Sequence, residues 1–531
     1  MDEMRIRETI ENGGTALGIE LGSTRIKATL VELESCTPVA SGGYAWENRL
    51  EDGLWTYSLD EVWVGVQSSF AELARNVRER FGVELSTVGA IGVSGMMHGY
   101  LVFDGDGRQL VPFRTWRNAT TGRAAAELSE LFGCNIPQRW AIAHLYHAML
   151  NGEKHLPELR FMTSLAGYVH WRLTGERALG LNDASGLVPL GAENGYDVRM
   201  VELFDEKLAA AGLPFRLAGI LPRPLPAGSE AGRLTEEGAR LLDPSGTLRA
   251  GIPFCPPEGD VGTGMIATNS VRPNTSNISA GTSAFLQVAL EKRLSKPHPE
   301  IDTLRAPDGC EVAMVHGANC TCELDAWIGL MREALGLFGV RPPVSEIYDR
   351  LYLHAFEGET DCGGIYAYNY LSGEHMTEIP EGRPLLVRTP ESRLSLANFM
   401  RAQLFSAFAT VRLGMDILES EGVRLTNVTG HGGVFKGVNA GQRVVAAALR
   451  TPVTLMSTAG EGGSWGIALL AAYMLRAGGR SLADFLDEAP FAESERVTLT
   501  PDEREMEGFA EYMKGYTAGL ALERAAAAAI K

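Results

Sequence analysis

The chain has 531 residues, more than one hydrophobic core takes, and its 45% hydrophobic and 21% charged content is ordinary for globular domains. Its 48 Lys and Arg against 66 Asp and Glu give a net charge of −18, which excludes nonspecific nucleic-acid binding, because that needs clustered cations. Seven scattered cysteines without a CxxC pair point to reduced thiols and a cytoplasmic setting, and Cys320-Thr321-Cys322 lacks the second ligand pair of a metal site.

The opening MDEMRIRETIENGG has no apolar centre, so no signal peptide is expected, and residues 1–15 read as a frayed lead-in. No apolar run is long enough to span a membrane. Leu17 to Leu33 then reads strand, Gly22-Ser23-Thr24 turn, strand: a β-hairpin whose small-residue tip can close backbone N–H groups around an anion. Leu59 to Phe81 carries apolar residues at three- and four-residue steps and predicts an amphipathic helix. VGAIGVSG is a short buried strand leading into Met96-Met97-His98-Gly99, and Asp104-Gly105-Asp106-Gly107 is the turn of a second hairpin. A hairpin followed by helix and strand gives a mixed sheet covered by helices, class α/β.

Residues 113–250 are richer in helix and loop, with helical patterns at AHLYHAML and FMTSLAGYVHWRLTG and a polar turn, Asn182-Asp183-Ala184-Ser185-Gly186, inside apolar sequence. GIPFCPPEGDVGTGM, Gly251 to Met265, holds the lone Glu258-Gly259-Asp260. A second hairpin follows in NISAGTSAFLQVAL with the tip Gly281-Thr282-Ser283, and the domain boundary falls just before it, giving domains 1–270 and 271–531. Helices are expected from Leu396 to Leu418 and from Gln442 to Leu449, with a strand ending in Gly432-Gly433 between them. A strand over 451–456, a Gly460–Gly463 turn, an Ala-rich helix to Leu475 and a surface helix from Glu503 to Ile530 complete the chain.

There is no GxxxxGK[ST], so no P-loop, and no GxGxxG between strand and helix. What remains is a nucleotide site assembled from separated Gly and Ser/Thr turns. Glu20, at the end of the first strand, could hold Mg²⁺ directly or through water, or be an ordinary strand charge. Asp260 could take a hydroxyl proton in phosphoryl transfer, or be a turn residue. His98 could bond a polyol hydroxyl or be a satisfied core histidine. Trp116 and Asn118 could offer an aromatic wall and an amide, or serve packing and a loop.

In order, these stretches resemble the FGGY family of carbohydrate kinases, its pentulose kinases of xylulokinase and ribulokinase type above all. LGIELGSTRIKA is similar to the family's first phosphate loop, GVSGMMHG with TWRN to its sugar-binding stretch, PEGDVGTG to its catalytic-Asp loop, SAGTSA to its second phosphate loop, and GHGGVFK with AGEGGSWGIALLAA to its adenosine end. The resemblance implies two actin-like (ribonuclease H-like) ATPase domains with a cleft between them, ATP and Mg²⁺ as cofactors, and a small-molecule sugar substrate. It implies no nucleic acid and no membrane, and it is compatible with a homodimer. By motif position Asp260 would be the general base, and Met97, His98, Trp116 and Asn118 would contact sugar. Gly22, Ser23, Thr24, Arg25, Gly281, Thr282 and Ser283 would face the phosphates, and Gly432, Gly433, Lys436 and Gly460 the adenosine. Glu20 would stand at the Mg²⁺ position.

The chain departs from the family pattern at Glu20, usually Asp, at Met96, usually Gln, and at Arg117-Asn118, usually Asn-Asp. The expected activity is transfer of phosphate from ATP to the terminal hydroxyl of a ketopentose, D-xylulose or L-ribulose. A kinase for another polyol such as glycerol, an actin-like ATPase module and a noncatalytic sugar sensor are the alternatives.

Overall fold

The Gly-Ser-Thr turn between two β-branched runs folds as its sequence dictates. Strands β1 (Thr15–Leu21) and β2 (Arg25–Glu32) pair antiparallel, with Glu20 opposite Lys27 and Leu21 opposite Ile26. The computed structural model describes residues 3–460 and 462–531. They divide into a first unit, residues 1–271 with 303–312 and 461–494, and a second unit, residues 272–302, 313–460 and 495–531. A single cut near residue 271 therefore accounts for most of the chain but not for the two later stretches that return to the first unit. A linear sequence reading sees covalent order, whereas these stretches are assigned by the apolar surface they bury.

In the first unit α1 (Glu3–Glu11) replaces the expected frayed lead-in. Ile6 and Ile10, one turn apart, are buried in the core, and that i, i+4 pair was the available signal. β2 pairs antiparallel with β3 (Pro38–Ala45), and a small hairpin of β4 (Arg49–Glu51) and β5 (Leu54–Thr56) follows. Helix α2 (Leu59–Phe81) forms as its spacing predicts; it has Asp60 and Glu61 in its first turn, Arg78 and Arg80 in its last, and Gly82 in the left-handed conformation as its stop. β6 (Ala90–Gly95), fully buried, lies parallel to β1. The Asp104–Gly107 turn closes a short hairpin as expected, Phe103 bridging Gln109 antiparallel and Leu110 N–H donating to the Val102 oxygen at 3.0 Å, while Leu101–Phe103 pairs along its full length with Phe161–Thr163. A short helix α3 (Leu181–Ser185) takes the polar Asn182–Gly186 stretch, and β7 (Glu258–Gly259) runs straight into α4 (Asp260–Ala267). The sheet order is β7-β6-β1-β2-β3, so Glu20 and the residue before Asp260 sit at strand ends of one sheet.

The first unit is closed by the Gly463–Arg476 helix, buried from Gly463 to Tyr473. It lies so close to β1 that a Cβ on Gly18 would stand 2.0 Å from the Ser464 carbonyl, and a Cβ on Gly466 2.2 Å from that of Thr263. Small residues on both sides let backbone meet backbone, the Thr29 and Ser464 hydroxyls pair between β2 and the helix at 2.9 Å, and those of Ser94 and Thr263 pair β6 with α4 at 2.9 Å.

In the second unit β8 (Thr275–Ala280) and β9 (Ala284–Ala289) form the second hairpin. Helices α5 (Cys322–Leu337) and α6 (Leu396–Ser420) cover it, and β8 is parallel to β10 (Asn427–His431), itself parallel to β11 (Val453–Met456). Arg496–Leu499 closes that edge of a seven-stranded sheet. The helix Glu503–Ala529 is not merely superficial: Phe509, Tyr512, Tyr516 and Leu520 enter the core. Among the described residues no helix is long and apolar enough to cross a membrane.

Gly18→Ala is expected to lower the thermal midpoint by several degrees, since the overpacking forces the closing helix away at a cost of about 1–3 kcal/mol. Gly219→Ala, with nothing within 4 Å of the added carbon, is the control that leaves it unchanged. Differential scanning calorimetry of the two variants checks this.

Candidate active site

Every carbonyl at the first hairpin tip is spoken for. The Trp46 indole N–H donates to the Gly22 oxygen at 2.7 Å, the Tyr57 hydroxyl to the Ser23 oxygen at 2.7 Å, and the Trp46 backbone N–H to the Thr24 oxygen at 3.2 Å. Gly22 N–H itself donates to the Arg25 oxygen at 3.0 Å. Among the described residues the amides of Ser23 and Thr24 have no partner, and Ser23, Thr24 and Arg25 are exposed. Carbonyls drawn inward with amides left over is the arrangement that binds an anion. Trp46 and Tyr57 stack at 4.2 Å and are nearly buried, and burial pushes the Tyr57 phenol up to about 12, so it stays a donor.

The second tip repeats the logic with different donors. Thr321 N–H reaches the Gly281 oxygen at 3.1 Å, Cys320 N–H the Thr282 oxygen at 2.9 Å, and Gly281 N–H the Ser283 oxygen at 3.0 Å, so the amides of Thr282 and Ser283 remain. The Ser283 hydroxyl is tied to the Ala318 oxygen at 3.2 Å. Gly432, at φ 108°, packs on this hairpin: a Cβ there would stand 2.3 Å from the Ala280 oxygen. The second tip and the Gly432-Gly433 turn are thus neighbours. Gly433, Lys436 and Gly460 are exposed, and no atom lies within 4 Å of a Cβ on Gly433 or Gly460. Residue 461, inside the Gly460–Gly463 turn, lies outside the described residues.

In the first unit Asp260 is the first residue of α4. Its Oδ1 accepts from the Met97 N–H at 3.3 Å, and its side chain is exposed. Crowding protein atoms desolvate the carboxyl and raise its pKa to about 6; the Met97, Val261 and Asp260 amides oppose the rise, and the Glu20 charge adds to it. Solvent access on its open side also works against the rise.

Glu20 takes two partners. Its Oε2 accepts from the Ser464 N–H at 3.1 Å, capping the closing helix, and stands 3.8 Å from the Lys27 ammonium. Among the described residues no group of three or more His, Cys, Asp or Glu side chains could hold a metal. Mg²⁺ needs no such cage, because it takes one or two carboxylates and completes its shell with water and phosphate. The Glu20 carboxylate, near the end of β1 beside the first hairpin tip, fits that demand.

Met97 is buried, filling the space that Cβ atoms on Gly259 and Gly186 would occupy. His98 is held at φ 72°, a left-handed conformation uncommon outside glycine, next to Gly99 at φ 91°. Its ring lies stacked on Trp140 at 6.1 Å, and Nδ1 is 3.4 Å from the Gly186 oxygen. Burial, with Arg139 nearby, holds it well below the ordinary histidine range, hence neutral.

Trp116 is 40% exposed, but Asn118 is buried and committed. Its Oδ1 accepts from Trp55 N–H at 2.9 Å, and its Nδ2 donates to the Trp55 and Thr115 oxygens at 2.8 and 3.0 Å. Both donors are spent, leaving one Oδ1 lone pair; Asn118 brackets β5 more than it faces a ligand. Arg117 beside it is exposed and stacks on Trp55 at 3.7 Å.

Sequence reasoning missed Trp46, Tyr57 and Lys27. Only the last left a signal, since the hairpin register places it opposite Glu20.

Two models of the FGGY family of carbohydrate kinases match the chain, the N-terminal domain over residues 15–267 and the C-terminal domain over 276–475. The chain belongs to that family. It is 22% identical over 363 residues to a xylulose kinase of Haemophilus influenzae, covering 66% of this chain and 68% of that one. It is 23% identical over 283 residues to a glycerol kinase of Thermococcus gammatolerans, 51% and 53% of the two chains. The solved xylulose kinase of Rhodospirillum rubrum shares the fold, with a TM-score of 0.76 at 20% identity over 96% of this chain and 98% of that one. The fold is accordingly the two-domain, actin-like carbohydrate kinase fold.

Tyr57→Phe keeps the aromatic stack and frees the Ser23 oxygen, so affinity for MgATP is expected to fall about 2- to 10-fold, the worth of one hydrogen bond. Calorimetric titration measures it.

Proposed function

We propose that this FGGY carbohydrate kinase transfers the γ-phosphoryl group of ATP to the terminal hydroxyl of a ketopentose, with D-xylulose or L-ribulose the leading substrates. The observation that carries the reading is Asp260. It is a solvent-reachable carboxylate with a raised pKa, at the first residue of a helix, in the same unit as the Glu20 end of a hairpin with spare amides.

Phosphoryl transfer asks the protein for alignment and charge compensation more than covalent chemistry. The amides left over at Ser23, Thr24, Thr282 and Ser283 bind phosphate oxygens, and Arg25 adds a cation. Gly432, Gly433, Lys436 and Gly460 leave open backbone for adenosine. Mg²⁺, when bound, neutralises charge on the phosphates; Glu20 would hold it through water, since Oε2 is already engaged by Ser464 N–H. Met97, His98 and Trp116 form the sugar face. His98, neutral, can donate or accept a hydroxyl hydrogen bond without adding charge. The sugar oxygen forms its bond to the γ-phosphorus as the bond to the β–γ bridging oxygen breaks. The hydroxyl proton passes to the Asp260 carboxylate, and ADP leaves. Proton acceptance at this point contributes roughly 10²–10⁴-fold.

A smaller polyol is the second reading, favoured by the glycerol kinase among the relatives.

ADP release is to be followed with MgATP and D-xylulose, L-xylulose, D-ribulose, L-ribulose, L-fuculose, L-rhamnulose, gluconate, erythritol and glycerol. One ketopentose is expected to stimulate release strongly. Protein that binds ATP and answers none of them is an ATPase module or a sensor instead. Asp260→Asn is expected to bind ATP normally and lose at least about 10²-fold in kcat.

The acid limb of the wild-type rate profile follows from the raised pKa. The base must be ionised, so kcat falls as pH drops through about 6 and is level above it. A profile flat from pH 7 to pH 4 would contradict Asp260 as the base.

A further inference from the structure

Helix α4, which begins at Asp260, cannot cap itself. Its N-cap is Gly259, where a Cβ would stand 2.1 Å from Met97 Cγ, so no Ser, Thr or Asp can take the position. The missing acceptor comes from elsewhere: Asn182 Oδ1 accepts the Gly262 N–H at 2.8 Å. Asn182 is fully buried, and its Nδ2 donates to the Arg305 oxygen at 2.7 Å, which fixes which way the amide points.

The reverse holds at α3, where Asn182 itself resides. Its N-cap is Gly180, where a Cβ would stand 2.1 Å from the Glu258 carboxyl, so it too lacks a side-chain cap. Here Glu258 Oε2 accepts the Asp183 N–H at 3.1 Å. The two helix starts therefore exchange caps, each supplied by the residue just outside or just inside the other helix. The Ser164 hydroxyl holds the Asp183 carboxylate, and the Ser185 hydroxyl bonds the Asn182 oxygen at 2.6 Å. Burial pushes Glu258 well above the carboxylate range and Asp183 up to about 7.

We propose that Asn182 and Glu258 are positioning residues for Asp260: their exchanged caps fix the first turn of α4 and so aim the Asp260 carboxylate. This rests on the phosphoryl-transfer reading. Among the described residues the side-chain hydrogen bonds of Asn182 and Glu258 go to α3, α4 and the Arg305 oxygen, not to the phosphate hairpins, so their effect falls on kcat rather than on MgATP affinity. A displacement of the base of about 1 Å is enough for a 10²-fold loss.

The test is steady-state kinetics on the best substrate of the panel, with MgATP affinity and thermal midpoint measured alongside. Asn182→Ala is expected to lower kcat about 10- to 100-fold while the Kd for MgATP stays within about twofold. Glu258→Gln, a neutral isostere, is expected to keep kcat within about twofold, whereas Glu258→Ala loses it as Asn182→Ala does. Asn182→Asp keeps an acceptor for Gly262 N–H but sets a carboxylate near Asp260, so the acid limb of the rate profile is expected to move upward. A network that served stability alone would move the midpoint and leave kcat and the limb where they are. Folded Asn182→Ala with wild-type kcat overturns the proposal. Should Asn182→Ala not fold, Glu258→Ala and Asn182→Asp decide in the same way, and loss of fold in all of them assigns the network to stability and overturns it. Wild-type protein with no turnover on any panel member rejects the kinase reading and this proposal together, whereas wild-type turnover with unaffected variants rejects the positioning role only.

Discussion

A backbone carbonyl at the proposed phosphate tips would be a liability, because it would repel the oxygens the neighbouring amides attract. Both hairpins of this protein remove it in the same way, by giving every tip carbonyl an internal donor. In the first unit the donors are largely side chains, Trp46 and Tyr57, stacked on one another. In the second they are the Cys320 and Thr321 amides that lead into α5. An amide donor comes with the fold, whereas an aromatic donor can be mutated away. The first tip is therefore the one whose anion affinity depends on particular side chains.

The same tip explains what Glu20 does. Asp is usual at that position in the family. The extra methylene of Glu lets Oε2 reach the Ser464 amide at the start of the closing helix while it stays within Coulomb range of Lys27. A carboxylate at a helix N-terminus is stabilised by the helix dipole and by the orphan amide it accepts from. Glu20 thus joins the hairpin to the helix that seals the first unit, and in the proposed reaction it would hold Mg²⁺ through water. The close backbone approach of Gly18 to Ser464 makes this reach geometrically feasible, because the helix lies against β1 with no side chain between.

Much of this was legible in the sequence, for identifiable reasons. The helix Leu59–Phe81 and both hairpins are encoded by local periodicity and turn chemistry, which act over a few residues. The exposed Asp260 carboxylate at the start of α4 was legible because Glu258-Gly259-Asp260 is an isolated polar group in an apolar stretch. What was not legible is whatever depends on residues far apart in sequence. Trp46 and Tyr57 sit in ordinary strand-flanking positions, and nothing local says that their polar atoms turn toward residues 22–24. The exchange of caps between residues 180–183 and 258–262 crosses about eighty positions, although the polar Asn182–Gly186 turn was itself visible. The return of residues 461–494 to the first unit has the same cause, since covalent order says nothing of which sheet an apolar helix covers.

The departures on the sugar side become narrower once burial is taken into account. Met96, where the family usually has Gln, is 3% exposed and belongs to the apolar core, with its amide bonded to the Leu21 oxygen. Its thioether is packing, so the change costs the protein no ligand group that faces outward. Asn118, in place of Asp, spends its amide on Trp55, a task a carboxylate could not perform because it has no N–H to donate to the Trp55 and Thr115 oxygens. The substitution therefore follows from the way β5 is held. Of the departures at 96, 117 and 118, only Arg117 has an exposed side chain, with its guanidinium laid over Trp55. A planar cation beside Trp116 is therefore the exposed change next to the proposed sugar face.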